Sequence, residues 1–505
     1  MKLAQILKEA GPHSLTGNPD IEITGLTEDS RTVEKGSLFF ARAGKKTSGL
    51  DFISQALSKG AAAVVAEEDS GPFPVPVVKV PSITEAETKI SEVFYDHPSR
   101  HLTIVGVTGT NGKTTFTYLL EAIAMEAGWR TAVIGTVNYR MPKDGSYLVE
   151  TFPAPNTTPN ILHLQKVLHQ ARQRKVDLVA MEVSSHALAL GRVAPIEFDG
   201  GVFTNLTQDH LDFHGTLDQY FEEKLKLFKK IRPGAKDIRG LAGSKAGCEK
   251  FCIINLDDAY GKKIVPFCHA PVMGYAIDSD ADFRASDAAL EPGGTRFTLQ
   301  RPGGKAPVRL NLIGRHNVYN ALAAIAAADR LLIPFDAVVR GLENIRAIPG
   351  RLESIQSGQD FTVLVDYAHT EDALRNVLES LRQLPRKRIL TLFGCGGDRD
   401  RSKRPLMGAA AVQLSDHVIV TSDNPRSEDP EKIALDIEVG IHRTGKKNYE
   451  VILDREKAIG EILKRAKKGD VVLIAGKGHE DYQIFKDKTI HFDDRETARR
   501  FLSKS

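Results

Sequence analysis

At 505 residues the chain is too long for one core, and roughly 150 residues per domain points to about three domains. Lys and Arg number 68 against 65 Asp and Glu, a formal net charge of +3, which excludes the strongly basic face of a general polyanion binder; no nucleic-acid partner is expected. Hydrophobic residues at 41% and charged residues at 26% exclude a disordered or fibrous chain, and no run reaches the roughly 18 apolar residues of a membrane span.

The start of the chain carries Lys2, Lys8 and Glu9 and no apolar signal core, so a cytoplasmic protein without membrane insertion is expected. Short β-branched runs alternate with helical stretches along the whole length, the pattern of an α/β protein whose parallel sheets are covered by helices. Residues 61–66 and 75–80 read as buried strands of a small first domain, 1–99, closed by the proline-containing break at 96–100. A second domain, 100–334, opens with a strand over 102–107, a glycine-rich turn and an apolar helix from Lys113; it closes with an alanine-rich helix over 320–328. Within it, residues 235–252 read as a surface insertion without an assignable role. The third domain, 335–505, carries strands around 362–365, 389–393, 417–421 and 471–475. Cys248, Cys252, Cys268 and Cys395 are too sparse for a disulfide framework. Even with His269 their spacing matches no standard zinc pattern, so they read as free thiols.

The sharpest motif is Gly109-Thr110-Asn111-Gly112-Lys113-Thr114-Thr115. Glycines let backbone N–H groups converge on a phosphate, the lysine supplies a point charge, and the hydroxyl after it can hold Mg2+. The full G-x-x-x-x-G-K-[ST] pattern is not met, because its first glycine would fall at Val107. Gly-Lys-Thr-Thr straight after a buried strand nevertheless favours ATP binding over a chance glycine turn.

Read from Gly106 to Thr115, this segment resembles the ATP loop of the Mur ligase family, which includes folylpolyglutamate synthases. The resemblance spans nearly the whole chain. It implies a small N-terminal UDP-binding α/β domain, a central P-loop ATPase-like parallel-sheet domain and a C-terminal Rossmann-like α/β domain. Met181-Glu182-Val183-Ser184-Ser185-His186 and Asn205-Leu206-Thr207-Gln208-Asp209-His210 resemble the central-domain signatures. A strand-end carboxylate and a loop histidine suit a hard cation carrying phosphate, so Glu182 and His210 join Thr114 as implied metal ligands. Lys224 reads by itself as a solvated lysine on an amphipathic helix. Its place resembles the position where many Mur ligases carry a carbamylated lysine, which would turn a cation into a carboxylate able to ligate or orient Mg2+. The segments around Asn317, Arg351 and Asp366 resemble those that close over the nucleotide, implying base, phosphate and ribose contacts in that order.

Asp423-Asn424-Pro425-Arg426 resembles the amino-acid-selecting motif of the family members that add meso-diaminopimelate to UDP-N-acetylmuramoyl-L-alanyl-D-glutamate. Diaminopimelate differs from lysine by a second carboxylate, which a planar guanidinium grips with two parallel hydrogen bonds; lysine would leave Arg426 desolvated and unpaired. By the same resemblance Arg399, Gly476 and Glu480 complete that pocket, Glu480 pairing an ammonium group. Glu28, Ser30 and the loop Lys45-Lys46-Thr47 would lie near the uridine diphosphate, while Asn156, Thr157, Thr158, Ser184 and Arg192 would hold the muramoyl dipeptide. Two departures stand out: Ser48-Gly49-Leu50-Asp51, where the family often shows a histidine after Asp-Gly, and Leu190, where some relatives carry glutamine.

The implied reaction is ATP-driven amide formation. The γ-phosphoryl of ATP passes to the D-glutamate side-chain carboxylate, and the amine of diaminopimelate displaces phosphate from the acyl phosphate. Lys113, His210 and Lys224 are the expected catalytic residues, with Mg2+ as cofactor, ATP as co-substrate, and a monomer as the expected state. A lysine-adding ligase of the same pathway, a folylpolyglutamate synthase and a non-catalytic nucleotide-binding scaffold are the competing readings. The first stands or falls with Arg426. The second has no need of Arg426 or the Asp29-Ser30-Arg31 segment, and the third has no need of Glu182, His210, Lys224 and Arg351.

Overall fold

The computed structural model describes residues 1–42, 48–68, 71, 73–143, 146, 148–239, 245–291 and 293–503. The chain divides into two compact units, Met1–Gly106 with Arg130–Asp199, and Val107–Trp129 with Gly200–Ser505.

The first unit opens with a five-stranded sheet in the order Ser14–Thr16, Val77–Lys79, Ala63–Ala66, Ser37–Phe40, Gly25–Thr27, antiparallel only at the first pair. Period-two alternation sorts its side chains onto two faces. Leu38, Phe40 and Val65 pack with Leu3, Ile6, Ile83 and Ile90, whereas Phe39, Val64 and Ala66 pack with Ile53 and Ala56. Farther along, Thr131–Ile134 runs parallel to Leu178–Glu182 and is extended by the antiparallel strands Tyr139–Pro142 and Val149–Phe152. The helix Ile161–Gln173 begins where the Asn160 side chain accepts the His163 N–H, satisfying one of the helix's free amides.

In the second unit, Gly200–Phe203, Phe251–Asn255, Val272–Ala276 and Phe283–Glu291 are parallel neighbours, and an antiparallel meander continues through Gly294–Arg301 and Gly304–Leu310. The helix Lys113–Glu126 packs against Arg315–Arg330 and Phe335–Asn344. Beyond these lies a six-stranded sheet in the order Glu353–Ser354, Thr362–Asp366, Val471–Ala475, Ile389–Phe393, His417–Val420, Tyr449–Val451, parallel except for its first pair. Its fully buried strands are continuous β-branched and leucine runs because helices cover both faces. All four expected strands of this region are present.

The expected insertion at 235–252 needs correcting at its end. Ala235–Arg239 and Lys245–Glu249 form an antiparallel hairpin, but Phe251 and Cys252 begin a fully buried strand, as the apolar run Phe251-Cys252-Ile253-Ile254 requires. The four cysteines are free thiols.

Candidate active site

The strand Thr103–Thr108 ends in a loop that feeds the helix beginning at Lys113. Gly109 and Gly112 have φ of +154° and +89°; a Cβ would lie 1.8 Å from Thr204 Oγ1 at the first and 2.3 Å from Asn320 Oδ1 at the second. Only glycine meets both demands. The loop is pinned to the turn after Gly200–Phe203. The Thr110 N–H donates to Asn205 O at 2.9 Å, the Asn111 N–H to Asn205 Oδ1 at 2.8 Å, and the Thr204 hydroxyl to Asn111 O at 2.6 Å. Lys113 folds back, its Nζ donating to Gly109 O and Thr110 O at 2.8 Å each. Thr114 and Thr115 are buried. The loop thus aims a helix N-terminus, a lysine and a hydroxyl at one place, an arrangement suited to a phosphate.

Arg351 reaches this loop, its Nη2 donating to Thr114 Oγ1 at 3.1 Å. Asp366 spends its carboxylate on the loop that carries Arg351, accepting the Leu352 and Ala368 N–H groups at 2.7 and 2.8 Å. Burial pushes its acid group up. Asn317 donates to Ile313 O at 2.9 Å and accepts from Asn320 Nδ2 at 3.1 Å, bracing the start of its helix.

Lys224, expected from periodicity alone to be solvated, is 1% exposed. Its Nζ donates to Gly109 O at 2.9 Å and lies 4.2 Å from the centre of the Tyr220 ring one helical turn earlier. Burial, and next the nearby charge of Lys113, pull its amine well below the usual lysine range, against the pull of Asp209. Asp209 is pushed up by burial, but the charges of His210, His369 and Lys403 outweigh that and hold it low. Its Oδ2 stands 3.4 Å from His210 Nε2 and its Oδ1 accepts the His210 N–H at 2.9 Å, orienting a histidine whose φ is +55°. The 207–210 turn closes onto the loop through the Thr207 N–H to Thr110 Oγ1, at 3.0 Å, and Asp372 accepts from both Asn111 Nδ2 and Thr207 Oγ1.

In the first unit, Glu182 ends its strand 1% exposed. The N–H and hydroxyl of Thr136 clamp its two carboxylate oxygens at 3.0 and 2.8 Å, and a Cβ on Gly135 would lie 2.4 Å from Oε1. Thr157 bonds the Thr136 hydroxyl, Thr158 bonds Glu182 O and Ser184, Arg192 Nη1 reaches Thr158 O at 3.1 Å, and Asn156 O accepts from Tyr139. Thr157, Thr158, Glu182, Ser184 and Arg192 therefore form one hydrogen-bonded cluster with Thr136, and Asn156 directly precedes it in the chain. Glu28 accepts from Asn160 Nδ2 at 2.5 Å, and Ser30 bonds Gln55 at 2.7 Å. Lys45, Lys46 and Thr47 lie outside the described residues.

At the C-terminal ends of the parallel strands of the six-stranded sheet, Asp423, Asn424, Pro425 and Arg426 meet the loop containing Gly476 and Glu480. Asn424 Nδ2 donates to Glu480 Oε2 at 2.9 Å, and a Cβ on Gly476 would lie 2.8 Å from Asp423 Oδ2. Arg426 has a φ of +54° and donates Nη1 to Gly397 O at 2.8 Å. Arg399, exposed, lies beside it: a Cβ on Gly396 would be 2.9 Å from Arg426 Nη1 and 3.9 Å from Arg399 Cγ. Sequence reasoning missed Lys477, fully buried, whose Nζ reaches Glu480 Oε2 at 3.2 Å and Asn424 Oδ1 at 3.3 Å. It also missed Arg455, whose guanidinium is locked to Asp494 and donates to Ser422 O and Ala475 O, the carbonyls just before Asp423 and Gly476. The signals were present in part: Asp209 precedes His210 in the Asn205–His210 signature, Lys477 stands between Gly476 and Glu480, and Tyr220 lies four residues before Lys224.

Family models match in three stretches: the Mur ligase family catalytic domain over residues 22–95, the Mur ligase middle domain over 107–328 and the Mur ligase glutamate ligase domain over 350–478. A UDP-N-acetylmuramoyl-L-alanyl-D-glutamate--2,6-diaminopimelate ligase of Geobacillus thermodenitrificans is 45% identical over 96% of this chain and 95% of its own. One of the same name from Syntrophomonas wolfei is 42% identical over 99% of both. A solved structure of a protein of that name is 33% identical, covers 100% of this chain and 99% of its own, and superposes with a TM-score of 0.67.

Proposed function

The chain belongs to the Mur ligase family, whose members form amide bonds at the expense of ATP, and from that premise we propose that it adds meso-diaminopimelate to the D-glutamate side-chain carboxylate of UDP-N-acetylmuramoyl-L-alanyl-D-glutamate in peptidoglycan synthesis. The observation that carries the choice of amino acid is the convergence of Arg426, Asp423 and Asn424 with Glu480 and Lys477, two cations and two carboxylates at one set of strand ends. With Lys477 already pairing Glu480, the second carboxylate of diaminopimelate is the group that meets Arg426, and lysine has none to offer. The working division is 1–99 for the uridine diphosphate end, 100–334 for ATP and the acyl centre and 335–505 for the amino acid. We assign the protein to the cytoplasm as a monomer, without membrane insertion or nucleic-acid partner.

The phosphate loop binds ATP through its amides. Lys113 exchanges the carbonyls of Gly109 and Thr110 for phosphate oxygens, and Arg351 moves from the Thr114 hydroxyl to the same phosphates. Asn317 meets the base and Asp366 the ribose. Glu28, Ser30, Lys45, Lys46 and Thr47 serve the nucleotide sugar, and the cluster from Asn156 to Arg192 holds the dipeptide. The Thr114 hydroxyl and the His210 imidazole of the second unit and, separately, the Glu182 carboxylate of the first, held rigid by Thr136, are donors of the kind that Mg2+ takes. Such an ion would offset negative charge on the transferring phosphoryl group. Lys224 fits beside a cation only as its carbamate, and burial, which pulls its amine well below the usual lysine range, favours the uncharged form that takes up carbon dioxide. A nearby carboxylate, or His210 steered by Asp209 where its ring holds no metal, accepts the proton that the attacking amine loses, so that phosphate leaves a tetrahedral centre. Arg399, Pro425 and Gly476 shape the amino-acid pocket around Arg426 and Glu480.

The test is product formation from ATP, Mg2+, the UDP-muramoyl dipeptide and meso-diaminopimelate. The expected result is a product heavier by one diaminopimelate residue, with one phosphate released per product; phosphate release independent of the amino acid would overturn the reading.

A further inference from the structure

Three loops of the second unit meet around Tyr367, the residue after the strand Thr362–Asp366. Its N–H donates to Gly350 O at 2.9 Å, tying it to the loop that carries Arg351. That loop presses on the segment 477–480 with no room for a side chain. Gly350 has a φ of +65° and a Cβ there would lie 2.2 Å from His479 N; Gly478 has a φ of +56° and a Cβ there would lie 2.7 Å from Tyr367 Cβ. Either loop can shift only by moving the other or Tyr367.

The Tyr367 side chain spans the junction. The guanidinium carbon of Arg351 sits over its ring, 4.8 Å from the centre, and the rings of His369 and His479 pack on it at 4.6 and 5.0 Å. Its hydroxyl points the other way and donates to Glu480 Oε1 at 3.4 Å, while Oε2 of the same carboxylate accepts from Asn424 and Lys477. Contacts therefore run without a break from Thr114 in the phosphate loop through Arg351, Tyr367 and Glu480 to Asn424 in the amino-acid motif.

We propose that Tyr367 is a positioning residue that couples the nucleotide and amino-acid sites, its ring holding Arg351 for the phosphates and its hydroxyl holding Glu480 for the amino acid. The inference rests on the proposed function for the identity of both ligands. A nucleotide that draws Arg351 off Thr114 fixes the Arg351 loop, and through Tyr367 it fixes the rotamer of Glu480 before the amino acid arrives. Coupling of this kind is reciprocal, so each ligand must tighten the other by the same factor.

The experiment titrates the full-length protein with a non-hydrolysable ATP analogue and Mg2+, with and without saturating meso-diaminopimelate. In the wild-type protein diaminopimelate should tighten the analogue by about fivefold or more, the usual scale of coupled sites. Tyr367→Phe keeps the ring under Arg351 and removes only the hydroxyl. It should bind the analogue alone as the wild type does, while the coupling factor falls to about 1. Tyr367→Leu, which also removes the aromatic face, should weaken the analogue alone by several-fold. A residue that merely supported the fold would change melting temperature and leave the factor intact. A wild-type factor of 1, or a Tyr367→Phe factor equal to the wild-type factor, overturns the inference while the ligase reading stands. Absence of diaminopimelate-dependent phosphate release by the wild-type protein would overturn both.

Discussion

Lys113 and Lys224 donate to the same carbonyl, that of Gly109, at 2.8 and 2.9 Å. Burial first, and then repulsion from the Lys113 ammonium, pull the Lys224 amine well below the usual lysine range. Lys224→Arg keeps a cation that neither deprotonates nor carries a carbamate, so it should lower kcat by about a hundredfold or more while nucleotide affinity stays within about threefold of wild type. Steady-state rates with parallel nucleotide titrations check this, and an active Arg variant would count against the carbamate. Arg426→Lys should raise KM for diaminopimelate by about a hundredfold, the value of a lost bidentate carboxylate bond, with KM for ATP unchanged. Were ATP affinity to collapse instead, Arg426 would belong to the nucleotide site. Gly109, the Lys-Thr pair and the Asp-Asn-Pro-Arg motif were legible because each is a local run of residue types tied to one chemistry. The burial of Lys224, the clamp of Thr136 on Glu182 and the Arg351 contact with Thr114 join residues far apart in the chain, and no local pattern announces them.

At the scale of elements, two strand ends of the six-stranded sheet are held at a fixed spacing by Arg455, which bonds Ser422 O at 3.2 Å and Ala475 O at 3.0 Å. Asp494, in the helix Asp494–Leu502, neutralises it, and both side chains are fully buried. Breaking such a pair strands one charge. Arg455→Met should therefore destabilise the protein by about 3–5 kcal/mol, and Arg455→Met with Asp494→Leu should recover most of that loss in urea unfolding. A double variant as unstable as the single would show that the carbonyl contacts, not the orphaned charge, dominate. The strands of this sheet were readable because they are buried on both faces and contain little besides β-branched residues and leucine. The meander of Phe283–Glu291, Gly294–Arg301 and Gly304–Leu310 was not. Its first strand contains Ala285, Ala288, Ala289 and Leu290, good helix formers, and is half exposed, so pairing with Gly294–Arg301 and not local preference decides its state.

For the molecule as a whole, acid sensitivity should centre on histidines held neutral. Burial, and then the charge of Arg351, lower His316 from 6.5 to about 4. A histidine whose folded value is depressed takes up its proton more readily when unfolded. Its contribution is thus complete above pH 6.5 and is lost as pH falls toward 4, by up to about 3 kcal/mol. Urea unfolding between pH 7 and 4.5 should show that slope, and His316→Gln should flatten it; an unchanged slope would assign the acid loss to other groups. The near-zero net charge gains meaning at this scale too. On the proposed function, ligands that are all anionic would be met by single cations at chosen points, Lys113, Arg351, Arg399 and Arg426, with no need of a basic surface. The central claim is that this pocket selects the amino acid with a second carboxylate. The ratio of kcat/KM for meso-diaminopimelate over L-lysine, measured at saturating ATP, Mg2+ and UDP-muramoyl dipeptide, tests it most directly. The pocket described predicts a preference of about a thousandfold or more for diaminopimelate, and a ratio near 1, or one favouring lysine, would contradict it.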